Sequence, residues 1–146
     1  MDKYFVMLLL AIAGTFVSLQ ASINAKLAKY VGFLESAFIS FLVGTFTLLI
    51  FLFFKGFSGL KQIGEVPLQF LTGGILGAFF VFVITYAVPK IGVSAALSIT
   101  IAVQLILGLL LDKFNPFAIN SFEVSIYNIL GVILTIIGVI MLTYNR

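Results

Sequence analysis

Apolar residues run along this chain in five long stretches, each bounded by charged residues, glycine or proline. A helix needs about 20 predominantly apolar residues to cross the hydrocarbon core of a bilayer. Stretches of that length lie at residues 4–23, 34–54, 66–88, 91–111 and 124–144, with Glu35 the one charge inside them, at an edge. The first helix is expected to continue along the interface through Asn24, Lys26 and Lys29 until Gly32 breaks it. Lys55, Gly56, Gly59, Lys61, Gly64 and Glu65 form the second link, and Pro67 suits the first turn of the third helix. Pro89, Lys90, Ile91 and Gly92 predict a tight turn that makes the third and fourth helices antiparallel neighbours. The fourth link opens at Asp112 and Lys113, turns at Asn115 and Pro116, and closes at Asn120 and Glu123, which have capping-box spacing. Phe114, Phe117 and Phe122 place that link on the membrane surface. No low-complexity segment and no convincing internal repeat is visible.

Composition sharpens this picture. Of 146 residues, 62% are hydrophobic and 9% charged, and the mean hydropathy is +1.29; an ordinary soluble domain is about half apolar and roughly a quarter charged. The fold class is therefore an all-α integral membrane protein of five transmembrane helices, with residues 1–146 forming one transmembrane domain. Lys3 before an apolar run resembles a signal peptide, but no small-residue cleavage site follows and four more spans do, so the segment is expected to be retained. Cysteine and histidine are both absent. That removes disulfides, thiolate chemistry, Cys/His metal sites and histidine acid–base catalysis. No metal, no cofactor and no enzymatic activity are expected.

The net charge of +3 comes from eight Lys/Arg residues scattered between apolar runs. They read as interface anchors rather than as a nucleic-acid surface. With five spans, Lys3, Lys55, Lys61 and Lys113 fall on one side of the membrane and Lys26, Lys29, Lys90 and Arg146 on the other. Four against four selects no orientation. A chain without charge bias can insert both ways, and two inverted copies recreate the inverted repeat that many membrane carriers hold within one chain. An antiparallel homodimer is the expected assembly, with a paralogous heterodimer as the alternative.

Small residues at helical spacing mark candidate packing faces: Gly14, Ser18 and Ser22; Gly73 with Gly77; Gly74 with Ala78; Ser94, Ser98 and Ala102; Gly131 with Gly138. Polar side chains within spans are costly and are the default functional candidates. Gln20 and Asn24 lie one turn apart on the first helix, and Thr100 and Gln104 on the fourth, so each pair shares a face. Either pair could line a substrate cavity or hold helices together. Tyr86 precedes the Pro89 turn; Ser40, Thr45 and Thr72 can bond back to their own helices and carry less weight. Glu35, Glu65, Asp112 and Glu123 all stand at span edges, whereas a proton-coupled cation exporter usually needs a carboxylate within the membrane.

Five stretches, in their order and spacing, carry a resemblance: Leu19-Gln20-Ala21-Ser22-Ile23-Asn24-Ala25-Lys26-Leu27; Ser40-Phe41-Leu42-Val43-Gly44-Thr45; Gly73-Gly74-Ile75-Leu76-Gly77-Ala78; Val88-Pro89-Lys90-Ile91-Gly92; and Gln104 followed by Asp112-Lys113-Phe114. Over nearly its whole length the chain resembles the five-helix YdcZ-like family of the drug/metabolite transporter superfamily. Val103 and Asn115-Pro116 depart from the small residue and glycine-type turn expected there. The resemblance implies a multi-pass protein of the inner cell membrane and half of a ten-helix inverted-repeat transporter fold. It also implies export of a metabolite or drug-like compound.

On this reading a small-molecule substrate is moved by alternating access through an antiparallel, dual-topology homodimer. Gln20, Asn24, Thr100 and Gln104 would supply uncharged hydrogen bonds, and Tyr86 an aromatic wall. The other partners expected are membrane lipids, and nucleic acid is not among them. The alternative is a non-transporting membrane subunit that assembles with a larger or paralogous partner. A channel would need more polar lining than this chain has.

Overall fold

A computed structural model describes residues 3–117 and 123–144. They form five α-helices, α1 (Lys3–Val31), α2 (Phe33–Lys55), α3 (Gly73–Ile91), α4 (Val93–Phe114) and α5 (Ile126–Thr143), and two 3-10 helices, Ser58–Glu65 and Leu68–Thr72. Five helical segments are long and apolar enough to cross a membrane, the third counted from Leu68. At 1.5 Å per residue, α5 is about 27 Å long and matches the hydrocarbon core, whereas α1 is about 43 Å and overshoots it. Helical backbone runs unbroken through Asn24, Lys26 and Lys29 to Val31, the continuation expected before Gly32.

Glycine ends three of the helices. Gly32 (φ 101°, ψ 162°) separates α1 from α2, Gly56 (φ 90°, ψ 160°) closes α2, and Gly92 (φ 83°, ψ 159°) separates α3 from α4. This corner of backbone space is essentially closed to residues with a Cβ. α1 and α2, and likewise α3 and α4, are thus joined through a single residue. Gly32 accepts from Ser36 N, and Gly92 from Ala96 N, both at 3.1 Å, so each glycine carbonyl receives the first hydrogen bond of the following helix.

Two expectations about proline are corrected. Pro67 lies not in the first turn of an α-helix but at the N-cap of the 3-10 segment Leu68–Thr72, which passes directly into α3 at Gly73. Thr72 Oγ1 donates to the Gln69 carbonyl at 2.7 Å and holds the tighter turn. Pro89 does not open a turn. It sits inside the last turn of α3, and helical backbone persists to Ile91, so the link shrinks to Gly92 alone. Near a helix end proline removes only one hydrogen bond, here the one that the Thr85 carbonyl would have accepted.

Asp112 and Lys113 likewise belong to the last turn of α4 rather than to the link. The helix stops at Asn115, whose left-handed conformation (φ 41°, ψ 50°) suits asparagine at a C-terminal cap. Asn120 lies outside the described residues. The N-terminal cap of α5 is instead Ser125 with Asn128: Tyr127 N donates to Ser125 Oγ at 3.2 Å, and Ser125 N donates to Asn128 Oδ1 at 2.9 Å.

The chain divides into two compact units at Lys90 and Ile91. In the first, the residues shielded from the surroundings are mostly small. Ala21, Ala25 and Ala28 on α1 and Ala37 on α2 let the hairpin backbones approach closely, while Val81, Ile84 and Val88 are buried on α3. The buried positions of α1 (21, 24, 25, 28) stand eleven, eight, seven and four residues before Gly32. Those of α3 (81, 84, 85, 88) stand at the same distances before Gly92. A repeat of burial therefore exists that residue identity does not display. In the second unit α4 packs against α5, and Ala95, Ala96 and Ala102 of α4 are buried.

Candidate functional site

Polar side chains gather in two grooves, one in each unit. The first runs along the α1–α2 hairpin and encloses about 490 Å³, with Gln20, Asn24 and Ser40 among its lining residues and Phe16, Leu19 and Ile39 as apolar walls. Asn24 is 5% exposed. Its Nδ2 donates to Ser40 Oγ at 3.2 Å, and its backbone carbonyl accepts from Ser36 Oγ at 2.8 Å. Of the two roles open to Asn24, cross-linking helices is thus realised. Gln20, one turn earlier, is exposed along the groove. Ser40 was expected to bond back to its own helix, as Thr45 does to the Phe41 carbonyl at 2.8 Å. It turns across the hairpin because Asn24 offers a donor there.

The second groove lies between α4 and α5 and encloses about 500 Å³. Gln104, Gly108 and Asp112 succeed one another at four-residue steps along α4, so they share one face, and the missing side chain of Gly108 keeps the space between the two polar groups open. Opposite them, α5 contributes Tyr127, Asn128 and Thr135. Asn128 spends its Oδ1 on the helix cap, which leaves its amide hydrogens directed elsewhere. Asp112 is the residue that sequence reasoning set aside. Its position at a span edge obscured that it stands two turns from Gln104 on the same face.

The family model described as "Putative inner membrane exporter, YdcZ" matches residues 5–141. The chain belongs to the YdcZ family. No curated protein and no solved structure matches it significantly. Membership of the YdcZ family, together with five helices able to span, makes it a multi-pass inner-membrane protein of an exporter family. The matched span includes both grooves, all five glycine- and amide-bearing stretches and most of every helix.

The remaining candidates of this YdcZ-family chain are engaged locally. Thr100 Oγ1 donates to the Leu97 and Ala96 carbonyls at 2.8 and 3.3 Å, so its hydroxyl is spent on its own helix. The rings of Tyr86 and Phe33 meet in a T-shaped arrangement, 5.2 Å between centroids at an interplanar angle of 76°. The Lys90 ammonium lies 3.9 Å from the Tyr86 ring centroid and donates to its hydroxyl. This cluster ties the end of α3 to the start of α2, with a cation held on an aromatic face. Gln20, Asn24 and Tyr86 thus belong to the first unit, with Thr100 and Gln104 in the second.

Proposed function

We infer that this YdcZ-family chain exports a small polar molecule by alternating access, working as an antiparallel, dual-topology homodimer. The observation that carries the reading is the groove in which Gln104, Asp112, Asn128 and Thr135 converge beside the uncovered Gly108. Polar groups are retained in membrane helices where they meet a partner or water, and a groove lined by two amides and a carboxylate gives a substrate donors and acceptors together, while the Thr135 hydroxyl donates to the Gly131 carbonyl of its own helix at 2.9 Å. Gln104 contacts the substrate in this groove and Gln20 offers a contact in the α1–α2 groove, while Asn24 and Tyr86 in the first unit and Thr100 in the second hold their own helices in shape. Asp112 adds an ionisable group, so the favoured cargo carries a hydrogen-bond donor or a cationic nitrogen rather than an anion. The chemistry is binding and release without catalysis.

Two features support the dimer. The positive charges are balanced between the two sides. Among the described residues the small-residue row Gly14, Ser18 and Ser22 is exposed: a Cβ on Gly14 would meet nothing within 4 Å, and both serines bond back along α1. Such rows are contact faces between membrane helices.

The chain has no cysteine, so Tyr4→Cys and Tyr144→Cys, which preserve the charge balance, report each end. Labelling with a membrane-impermeant thiol reagent in intact and permeabilised cells is expected to reach a fraction of both ends from outside. Labelling of each end from one side only would exclude inverted homodimers and turn the search to an oppositely oriented paralogue.

A further inference from the structure

The seam between α4 and α5 has a second flank. Leu109 and Val132 line both of its grooves, but on the flank away from Gln104 the walls are Ile106, Leu110, Ile129 and Ile133, and the space is about 740 Å³. Two charges of opposite sign belong to this apolar groove: Lys113 in the last turn of α4, and Glu123 just before α5. Both are exposed, and among the described residues neither is held in an ion pair. The Lys113 ammonium is 5.8 Å from the centroid of the Phe114 ring, within cation–π reach but open to a further partner.

Apolar walls leading to charges at the helix ends match the profile of a bilayer leaflet, in which acyl chains lie beneath a layer of headgroups. A trough in a membrane-facing helix pair is filled by lipid tails, so the informative part is the headgroup that the charges select. Lys113 alone would take the phosphate of any phospholipid. Glu123 adds a second requirement, because it repels a headgroup with net negative charge and attracts an ammonium. A primary ammonium also donates hydrogen bonds to a carboxylate, which a trimethylammonium cannot do.

We propose that this groove binds one zwitterionic phospholipid bearing a primary ammonium headgroup. An acyl chain lies against Ile106, Leu110, Val132 and Ile133, the phosphate meets Lys113, and the ammonium meets Glu123. Bound there, the lipid packs against Leu109 and Val132, the same two residues that form the floor of the Gln104–Asp112 groove. The site is independent of the transport reading, since it uses none of the polar residues assigned to cargo.

The test uses the full chain, purified in detergent, stripped of lipid and offered phosphatidylethanolamine, phosphatidylglycerol or phosphatidylcholine with identical acyl chains, with retention read by native mass spectrometry. Phosphatidylethanolamine should be retained about fivefold over phosphatidylglycerol, the factor expected from one charge contact at the membrane surface. Glu123→Gln should erase that preference while leaving total lipid retention in place. Lys113→Gln should weaken all three lipids, and the exchanged pair Lys113→Glu with Glu123→Lys should restore the phosphatidylethanolamine preference. Equal retention of the three lipids, a preference for phosphatidylglycerol, or an unchanged preference in Glu123→Gln would overturn the proposal. So would lipid on monomers but none on dimers, which would show that a second copy covers the groove. Both substitutions are at exposed positions, and unchanged helicity by circular dichroism separates a lost contact from a lost fold.

Discussion

Asn24 and Ser40 stand eight residues before and eight residues after Gly32, and the Asn24 amide donates to the Ser40 hydroxyl across the hairpin at 3.2 Å. Symmetric placement about a one-residue break is what brings the two side chains level on antiparallel helices. Four residues nearer the break, Ser36 is fully buried and donates to the Asn24 carbonyl, so two polar links hold one stretch of α1 to α2.

Interhelical hydrogen bonds in membranes contribute modestly, about 0.6 kcal/mol on average and up to about 1.7. Asn24→Ala is expected to lower the resistance of the hairpin to unfolding by about 1 kcal/mol, measured by SDS titration of the purified protein in mixed micelles. Ser40→Ala in the Asn24→Ala background should cost little more, because the bond is already gone. Ser36→Leu is the harsher change. Its side chain would enter a position with no exposure, and overpacking there should cost about 1–3 kcal/mol.

Gly32 and Gly92 provide a second test. At φ 101° and 83°, with ψ near 160°, an added Cβ is strained whatever space surrounds it, and the strain is of order 1–3 kcal/mol. Gly32→Ala and Gly92→Ala should each destabilise the protein by about that amount in the same titration. At Gly32 the new Cβ would also fall against the Glu35 carboxylate, whose flexible side chain can swing away. Gly44→Ala serves as the contrast: this glycine inside α2 has open space around it, so alanine should be neutral or raise stability by up to about 1 kcal/mol.

The contrast between these glycines bears on what the sequence reveals. The helices were legible because glycine, proline and charge punctuate apolar runs of membrane-crossing length, and the overlong α1 was legible because nothing between Ile23 and Gly32 disfavours helix. The matching burial of α1 and α3 was not. The equivalent positions hold Ala21, Asn24, Ala25 and Ala28 in one helix and Val81, Ile84, Thr85 and Val88 in the other, so side-chain volume and polarity conceal a shared geometry. Ser40 was undervalued because a serine in a membrane helix ordinarily bonds back to its own backbone, and only the register of the hairpin shows that Asn24 lies within reach. Asp112 had the right spacing to Gln104, but its depth diverted attention from its face.

The groove holding Gln104 and Asp112 separates function from folding. Gln104→Ala and Asp112→Asn are exposed changes and should alter stability by less than about 0.5 kcal/mol. They should reduce export tenfold or more in a resistance or efflux assay on cells if these groups contact cargo. Gly108→Leu is the sharper probe. Nothing lies within 4 Å of a Cβ at this position, and leucine is the better helix former, so the protein should fold at least as well while the side chain fills the groove and blocks export. Export that survives Gly108→Leu would remove this groove from the substrate path.

Thr85 sets the last prediction. It is fully buried on α3, its hydroxyl finds no hydrogen-bond partner among the described residues, and its carbonyl faces Pro89, which has no N–H to offer. A buried hydroxyl without a partner has lost its hydration and gained nothing in exchange, whereas a methyl of similar size has no such debt. Thr85→Val should therefore stabilise the protein by about 1 kcal/mol in SDS titration, against the usual trend for buried substitutions. Thr85→Ala would remove the unpaired hydroxyl but also leave a void, so it should fall below Thr85→Val. Should Thr85→Val instead destabilise the protein or abolish export with the fold intact, the hydroxyl has a partner in the working state. The end of α3 beside Pro89 would then be the place to look for movement between inward- and outward-facing forms.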